Sequence, residues 1–264
     1  MKRGFSKALV GMIVVLLCCA LYGVWLEPRW METTRYSFRV SDLDRSVKIV
    51  HITDLHLTKV GALETSVLDA VRGERPDIIV VTGDTVDKRD SLESGMLFLS
   101  QLTAALGVYA VSGNWEHWSL SDNQQRSLAS LGNVTFLNNA SVQVLKGLWL
   151  VGQDDLVSGR SDEQKAFASV PEGANCIGFF HAPEAFSHAS RKCVLNLAGH
   201  THGGQVRLPF IGALWLPPGS GHFVSGWYAD GPNKLYVSRG LGTSILPVRF
   251  LARPELTIMN LEAQ

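Results

Sequence analysis

Five short polar segments carry residue types able to do chemistry together: Asp54-Leu55-His56, Gly83-Asp84, Gly113-Asn114-Trp115-Glu116-His117, His181, and Gly199-His200-Thr201-His202-Gly203-Gly204-Gln205. Imidazole nitrogens combined with carboxylate and amide oxygens suit hard-to-borderline divalent cations, and no cysteine lies in any segment, which favours manganese, iron or zinc over copper. The set is large enough to hold two ions and to form a hydrolytic site. Each segment alone is weak: Asp-x-His is common by chance, and Gly-Asp after an apolar run is usually a turn. His200-Thr201-His202 is stronger, because side chains two apart on an extended chain point the same way.

The elements that must position these residues are legible as apolar runs. Val47–Ile52 leads to Asp54, Asp77–Val81 to Gly83-Asp84, Val108–Val111 to Gly113-Asn114, Ile177–Phe180 to His181 and Val194–Ala198 to His200. Each reads as a buried strand, so the ligands form one rim at strand ends, where open α/β sheets place their binding crevices. Glycines beside Asp84, Asn114 and His200 permit tight turns there. Amphipathic spacing predicts helices at Leu63–Val71, Ser91–Leu106 and Asp122–Leu131, and a short strand at Tyr36–Val40.

Composition agrees with one α/β domain. Apolar residues make up 46% of the 264 and the formal net charge is zero, which speaks against disorder and removes the basic footprint of a nucleic-acid binder. No repeat or low-complexity tract interrupts the chain.

In their order and spacing the five segments resemble the calcineurin-like metallophosphoesterases. The ending Gly203-Gly204-Gln205-Val206-Arg207-Leu208-Pro209 and the tail segments Val237–Ser244, Leu246–Arg249 and Arg253–Leu256 look like that family's bacterial membrane-associated branch, which holds the YkuE-like and YaeI-like proteins. The resemblance implies an α/β sandwich of two mixed β-sheets flanked by helices. It also implies one metal held by Asp54, His56, Asp84 and His202 and a second held by Asp84, Asn114, His181 and His200. Asp84 would bridge, offering one oxygen to each ion, and ions about 3.5 to 4 Å apart turn a shared water into a hydroxide nucleophile near neutral pH.

One position departs from the family pattern. A catalytic histidine usually follows the ligating asparagine, and here Trp115 stands there. Beside Asn114, the nearest substitute acid is His117; without one, leaving groups needing no proton are favoured, a loss otherwise of about 10² to 10⁴ in rate. Trp115 reads as packing beneath the site. Arg207, Arg239 and Arg249 are the candidates for phosphate recognition, since a guanidinium can hold two phosphoryl oxygens at once. His51 and His188 read as core or surface residues. The aromatic loop Trp215–Tyr228, which carries His222, reads as a cap over the substrate pocket or a contact with a bilayer.

At the N-terminus, Lys2, Arg3 and Lys7 precede Ala8–Leu26, nineteen residues without a charge, enough to cross a hydrocarbon core of about 30 Å. The apolar run is longer than a signal-peptide core and lacks a convincing cleavage site, so it reads as an uncleaved single-pass anchor. The basic residues before the span put the N-terminus inside and the domain outside. This divides the chain into a basic start at 1–7, an anchor at 8–26, a polar stalk with a first strand at 27–46, and the catalytic domain at 47–264. Cys18 and Cys19 fall in lipid; Cys176 and Cys193 read as buried thiols, with one disulfide as the alternative.

The expected function is metal-dependent hydrolysis of a phosphodiester or pyrophosphate bond in a lipid-linked substrate. By resemblance the most concrete candidate is UDP-2,3-diacylglucosamine, a cytoplasmic precursor of lipid A, although the charge rule puts the domain on the other side. A cell-envelope phosphodiesterase or phosphatase of broader specificity and a non-catalytic metal-holding scaffold are the alternatives.

Overall fold

The apolar runs become strands in a computed structural model that describes residues 2–190 and 192–263. In chain order they are β1 (Glu32–Val40), β2 (Val47–Ile52), β3 (Ile78–Thr82), β4 (Val108–Val111), β5 (Val134–Phe136), β6 (Ala140–Leu145) and β7 (Leu148–Gly152). Then follow β8 (Cys176–Phe179), β9 (Leu195–Ala198), β10 (Arg207–Leu208), β11 (Gly212–Ala213), β12 (Gly226–Asp230), β13 (Asn233–Val237) and β14 (Glu255–Ala263). One mixed sheet has the order β1-β14-β2-β3-β4-β5 and the other β12-β13-β9-β8-β7-β6; β10 and β11 form a separate ribbon. Central strands such as Ile78-Ile79-Val80-Val81-Thr82 are buried along their whole length, as parallel strands covered on both faces must be.

The sheets pack face to face. Ile49, Ile78 and Val80 of the first meet Leu150, Ile177, Phe179 and Leu197 of the second in one continuous core. The outer face of the first sheet carries helices, numbered after the N-terminal α1 (Lys2–Leu21): α2 (Ala62–Glu74), α3 (Leu92–Ser100), α4 (Asn114–Ser119) and α5 (Asp122–Ala129). From α2, Val67, Leu68 and Val71 pack down against Val50, Ile79 and Val81, the helical spacing that the sequence shows. The two-sheet, helix-flanked α/β sandwich is therefore as expected.

Three local readings change. Helix α3 stops at Ser100 rather than running to Leu106, because Asn133 Nδ2 donates to the carbonyls of Leu99 (2.9 Å) and Leu102 (3.1 Å), which a longer helix would use internally. Residues 27–46, expected as a polar stalk with a strand at Tyr36–Val40, contain that strand and pack more closely on the domain. Strand β1 pairs with β14 from Glu32↔Glu255 to Val40↔Ala263, and the buried Glu27 carboxylate accepts the backbone N–H groups of Leu251 and Ala252. The cause is apolar: Tyr36 and Phe38 lie 5.1 and 4.9 Å from the Trp227 ring and close the edge of the inter-sheet core. Finally, Cys176 and Cys193 are joined in a disulfide rather than left as thiols. Parallel pairing of β8 with β9 brings the two segments side by side, with Cα atoms 4.9 Å apart.

Candidate metal centre

All five polar segments emerge on one rim, at the C-terminal ends of β2, β3 and β4 from one sheet and of β8 and β9 from the other. The chain must turn sharply there, and it does so in an uncommon way. Asp54, Asp84, His56, His200 and His202 all have left-handed backbone, with φ of 53°, 51°, 45°, 72° and 51°. Asp and His tolerate that region better than bulky residues, but each instance still costs about 1 to 3 kcal/mol, and such strain collects at functional sites. Glycines make room around the carboxylates: a Cβ at Gly113 would collide with Asp84 Oδ1, and one at Gly199 with Asp54 Oδ2.

Two clusters of buried ligand atoms result, Asp54–His56–His202 and Asp84–His181–His200. In the first, His56 Nε2 and His202 Nε2 face each other at 3.0 Å, and Asp54 Oδ1 stands 3.4 Å from His202 Nε2. In the second, His181 Nε2 lies 3.0 Å from His200 Nδ1, 3.0 Å from Asn114 Oδ1 and 3.1 Å from Asp84 Oδ2. Atoms held at about 2.1 Å around one ion, at octahedral to tetrahedral angles, stand about 3.0 to 3.4 Å from one another. The observed edges match that spacing.

Tautomers strengthen the fit. The Nδ1–H of His181 donates to Thr82 O (2.7 Å) and the Nε2–H of His200 to Pro218 O (2.7 Å). That leaves two lone pairs directed at one another, an arrangement that a cation or a shared proton relieves. Burial disfavours an imidazolium at His181, yet the Asp84 carboxylate beside it raises its pKa well above the ordinary value. His200 is driven down to about 4, first by burial and then by the His181 charge. Burial likewise lowers His56 and His202. Three imidazoles are thus held neutral, as metal ligands must be, and burial of Asp84 is outweighed by His181, which holds that carboxyl at about 2.

Asp84 reaches both clusters, but through one oxygen. Its Oδ2 lies 3.1 Å from His181 Nε2 and 3.6 Å from His56 Nε2, while Oδ1 accepts the Trp115 N–H at 2.9 Å. Oδ2 thus faces both clusters, and Oδ1, with one accepted N–H, keeps a second lone pair. Asp54 ties the sheets together, since both its oxygens accept the His200 N–H (3.0 and 2.9 Å) and Thr53 Oγ1 donates to Oδ2 (2.8 Å).

Other candidates are placed differently. Trp115 packs edge-on against His56, with centroids 5.4 Å apart. His117 is held by Asp154, with Nε2 to Oδ1 at 2.8 Å; that hydrogen bond raises its pKa, and the side chain does not line the groove described below. Arg239 is ion-paired with Glu32 (2.7 Å) and Glu255 (3.1 Å). Arg249 is fully buried, donating to the carbonyls of Ala252 (2.7 Å), Arg239 (2.9 Å) and Gly242, and touches His202 Nδ1 at 3.3 Å. Arg207 donates to Gly203 O at 2.9 Å. The three arginines brace the loops of the site and none lines its mouth. His51 is a core residue bonded to Thr82 Oγ1 at 2.8 Å, burial lowering its pKa to about 3. His222 stacks on Phe223 at 4.0 Å, away from the metal ligands, whereas Trp215, Pro217 and Pro218 of the same loop do border them.

The most important residue passed over in the sequence is Glu116. Its buried carboxylate accepts the backbone N–H groups of Asp84 (2.9 Å), Thr85 (2.6 Å), Val86 (3.3 Å) and Gly113 (2.8 Å), clamping the β3 and β4 turns together. The signal was present, since a glutamate three residues after Gly113 is the spacing of a capping box. Asp154 and Asp155 end β7 on the same rim and follow an apolar run just as the recognised ligands do.

Over the metal ligands opens a groove of about 420 Å³ whose floor includes Asp84, Asn114, His200 and His202. Trp115, Trp118, Leu214, Trp215, Ile245 and Leu246 form its walls, with no lysine or arginine among the described lining residues. A second hollow, of about 710 Å³, meets it at Trp115 and carries His56, Arg29 and Lys88.

The profile of the calcineurin-like phosphoesterases matches residues 47–204. The metallophosphoesterase YkuE of Bacillus subtilis is 32% identical over 99% of this chain and 98% of its own. The phosphodiesterase YaeI of Escherichia coli is 29% identical over 91% of this chain and 92% of its own. A dimetal phosphatase from Danio rerio, known as a crystal structure, superposes with a TM-score of 0.49 at 15% identity, covering 75% of this chain and 88% of that one.

Proposed function

We propose, because the chain belongs to the calcineurin-like phosphoesterase family and is thereby a metal-dependent phosphoester hydrolase, that it cleaves a phosphodiester or pyrophosphate bond in a lipid-linked substrate while anchored in a bilayer. The observation that carries this reading is the apolar groove lying directly over Asp84, Asn114, His200 and His202. An acyl or prenyl chain gains about 25 cal/mol for each Å² that such walls of tryptophan, leucine and isoleucine remove from water. The polar part of such a substrate fits the adjoining hollow, where Arg29 and Lys88 supply positive charge.

Two divalent ions, with manganese the first to test and iron or zinc the others, would supply an activated water and Lewis acidity toward the phosphoryl oxygens. Asp54, His56 and His202 would hold one, and Asn114, His181 and His200 the other, with Asp84 common to both. Asn114 stands at the start of α4, where its side chain is set by the β4 turn beneath it. Trp115 occupies the position of the family's acid. The groove therefore favours departure of a phosphate or a phenolate, which needs no proton, over departure of an alkoxide.

The disulfide and the basic N-terminus favour the domain outside the cytoplasm, since such bonds persist in oxidising compartments. This supports an envelope phosphodiesterase as the second reading. UDP-2,3-diacylglucosamine has the right chemistry, a pyrophosphate between a nucleotide and a lipid, on the opposite side of the membrane. Product analysis distinguishes the two, using the manganese-loaded full chain with UDP-2,3-diacylglucosamine and, in parallel, a bis-aryl phosphate. UMP from the intact protein and none from Asp84→Ala assigns the lipid A precursor and moves the domain to the cytoplasm. Bis-aryl hydrolysis without UMP assigns an envelope substrate, and inertness toward both leaves a metal-holding scaffold.

A further inference from the structure

The residues around the mouth of the metal centre include an unusual number of large apolar side chains in open solvent. Phe210 is fully exposed, and Ile211 and Ile245 are 71% and 76% exposed, with Leu214, Trp215 and Leu246 also open. They come from two loops, 206–215 and 243–251. The loops are bound together: Val206 bridges to Phe250, Arg207 N–H donates to Phe250 O (2.8 Å), and Gln205 Nε2 donates to the carbonyls of Ser244 (3.0 Å) and Leu246 (3.1 Å). A contiguous apolar patch of this kind on a soluble monomer marks an interaction surface.

What covers the patch follows from where the apolar N-terminal helix joins the body. Residues Lys7–Arg29 are long and apolar enough to cross a membrane, and their last turns rest on the second of these loops. Arg249 N–H donates to Gly23 O at 2.9 Å, and the Tyr22 ring stands edge-on to Phe250 with centroids 5.7 Å apart. A Cβ at Gly23 would come within 3.2 Å of Arg249 O, so glycine is what lets the helix approach so closely. Glu27 accepts from Leu251 and Ala252, and the Arg253 guanidinium lies 4.2 Å over the Trp30 ring. Exposed Trp25 and Trp30 flank this joint, as aromatic side chains do where a span meets the headgroups. The joint is also one residue from the chemistry, since Arg249 touches both Gly23 and His202.

We propose that loops 206–215 and 243–251 seat in the same bilayer that holds the anchor, so that the metal centre opens onto the lipid surface and its substrate enters sideways from the leaflet. The occupant of the patch is lipid, because the patch is continuous with the end of an apolar span and shares its hydrogen bonds. Phe210 and Ile211 dip among the acyl chains, and the groove walls Leu214, Trp215, Ile245 and Leu246 continue that apolar surface inward to Asp84. Only the phosphate of a membrane amphiphile then needs to leave the headgroup layer. The proposal rests on the reading of residues 7–29 as a retained span, and its test separates the two.

The full chain carrying Cys18→Ser and Cys19→Ser, with the disulfide kept, is placed in phosphatidylethanolamine–phosphatidylglycerol nanodiscs. Nitroxide labels are attached at Ile211→Cys, Ile245→Cys, Ile13→Cys in the span, and Lys146→Cys in the exposed β6–β7 turn at the far end of the second sheet. Depth is read from the relaxation caused by dissolved oxygen relative to a water-soluble nickel chelate. The expected result is that positions 211 and 245 favour oxygen over nickel several-fold more than position 146 does, and that position 13 reads deepest. Labels at 211 and 245 as nickel-accessible as that at 146, with 13 still deep, overturn the proposal and leave the anchor standing. A nickel-accessible label at 13 overturns the anchor reading, and this proposal with it.

Discussion

The floor and the mouth of the metal centre are built on opposite plans. On the floor, every ligand side chain is buried, five ligand residues hold left-handed backbone, and Glu116 alone clamps four backbone N–H groups. The mouth, a few ångströms above, is made of short loops whose largest side chains are unpacked and apolar. The floor resembles the inside of a folded core with its polar groups over-determined; the mouth resembles the outside of a membrane protein. The difference teaches that the chemistry is fixed by polar constraint, whereas substrate choice is left to a surface with little constraint of its own.

The comparison is sharpened most by removing the carboxylate that faces both clusters. Asp84→Ala deletes Oδ2 and frees His181 and His56 from their carboxylate, so hydrolysis of a bis-aryl phosphate falls by about 10³-fold or more, several kcal/mol of transition-state stabilisation. Calorimetric titration with Mn²⁺ then loses one equivalent or both, and unaltered turnover would mean that the clusters are structural.

Next in size is the clamp. Glu116→Gln keeps the shape of the side chain but replaces one acceptor oxygen by a donor facing backbone N–H groups. Leaving buried donors unpaired costs about 1 to 3 kcal/mol each, so denaturant unfolding registers a loss of about 3 kcal/mol, with weaker metal retention. A loss below about 1 kcal/mol would place the floor's rigidity elsewhere, for instance in Asp54.

The mouth is expected to respond selectively. Phe210→Asp combined with Ile211→Asp alters neither the groove lining nor any ligand, and soluble aryl phosphate turnover stays unchanged. Hydrolysis of a lipid phosphodiester presented in the bilayer falls by about 10²-fold or more, because two side chains each worth about 1.5 to 3 kcal/mol of burial no longer enter lipid. Equal loss on both substrates would join mouth and floor into one unit.

What could be read in the chain follows the same division. Asp54, Asp84, His200 and His202 stand at or just past the ends of apolar runs, and both the strands and the rim follow from local periodicity. Of the partners of Glu116 only the Gly113 N–H lies at the local capping-box spacing; Asp84, Thr85 and Val86 are some thirty residues away in sequence, so the clamp between the β3 and β4 turns leaves no local signal. The arginines misled for a related reason: guanidinium groups suit phosphate, but Glu32 and Glu255 reach Arg239 first, and carbonyls enclose Arg249. The disulfide, one of the two readings of Cys176 and Cys193, and the extension of the Tyr36–Val40 strand back to Glu32 depend on which strands pair across the fold, information that no single segment carries. Phe210 and Ile211 look in sequence like ordinary loop residues; their exposure beside the apolar N-terminal helix is visible only once Gly23 is seen against Arg249.

The smallest effect tests whether His117 belongs to the floor or only borders it. Its hydrogen bond to Asp154 raises its pKa above the ordinary 6.5 despite partial burial. For Asp154, burial is outweighed by His117 and the Arg160 N–H, and its pKa falls below 3.8. The raised histidine stabilises the fold fully below pH 6.5 and stops doing so as pH rises through its folded-state value. The lowered aspartate does so fully above pH 3.8 and stops as pH falls through its own. The coupling measured by a His117→Gln/Asp154→Asn double-mutant cycle is therefore largest between those limits, about 1 kcal/mol for a partly exposed pair, and fades on either side. Bis-aryl phosphate turnover in His117→Gln stays within about twofold, because a phenolate departs without a proton. A larger fall that follows the titration of His117 would instead bring this residue onto the reacting phosphate and extend the floor by one proton donor.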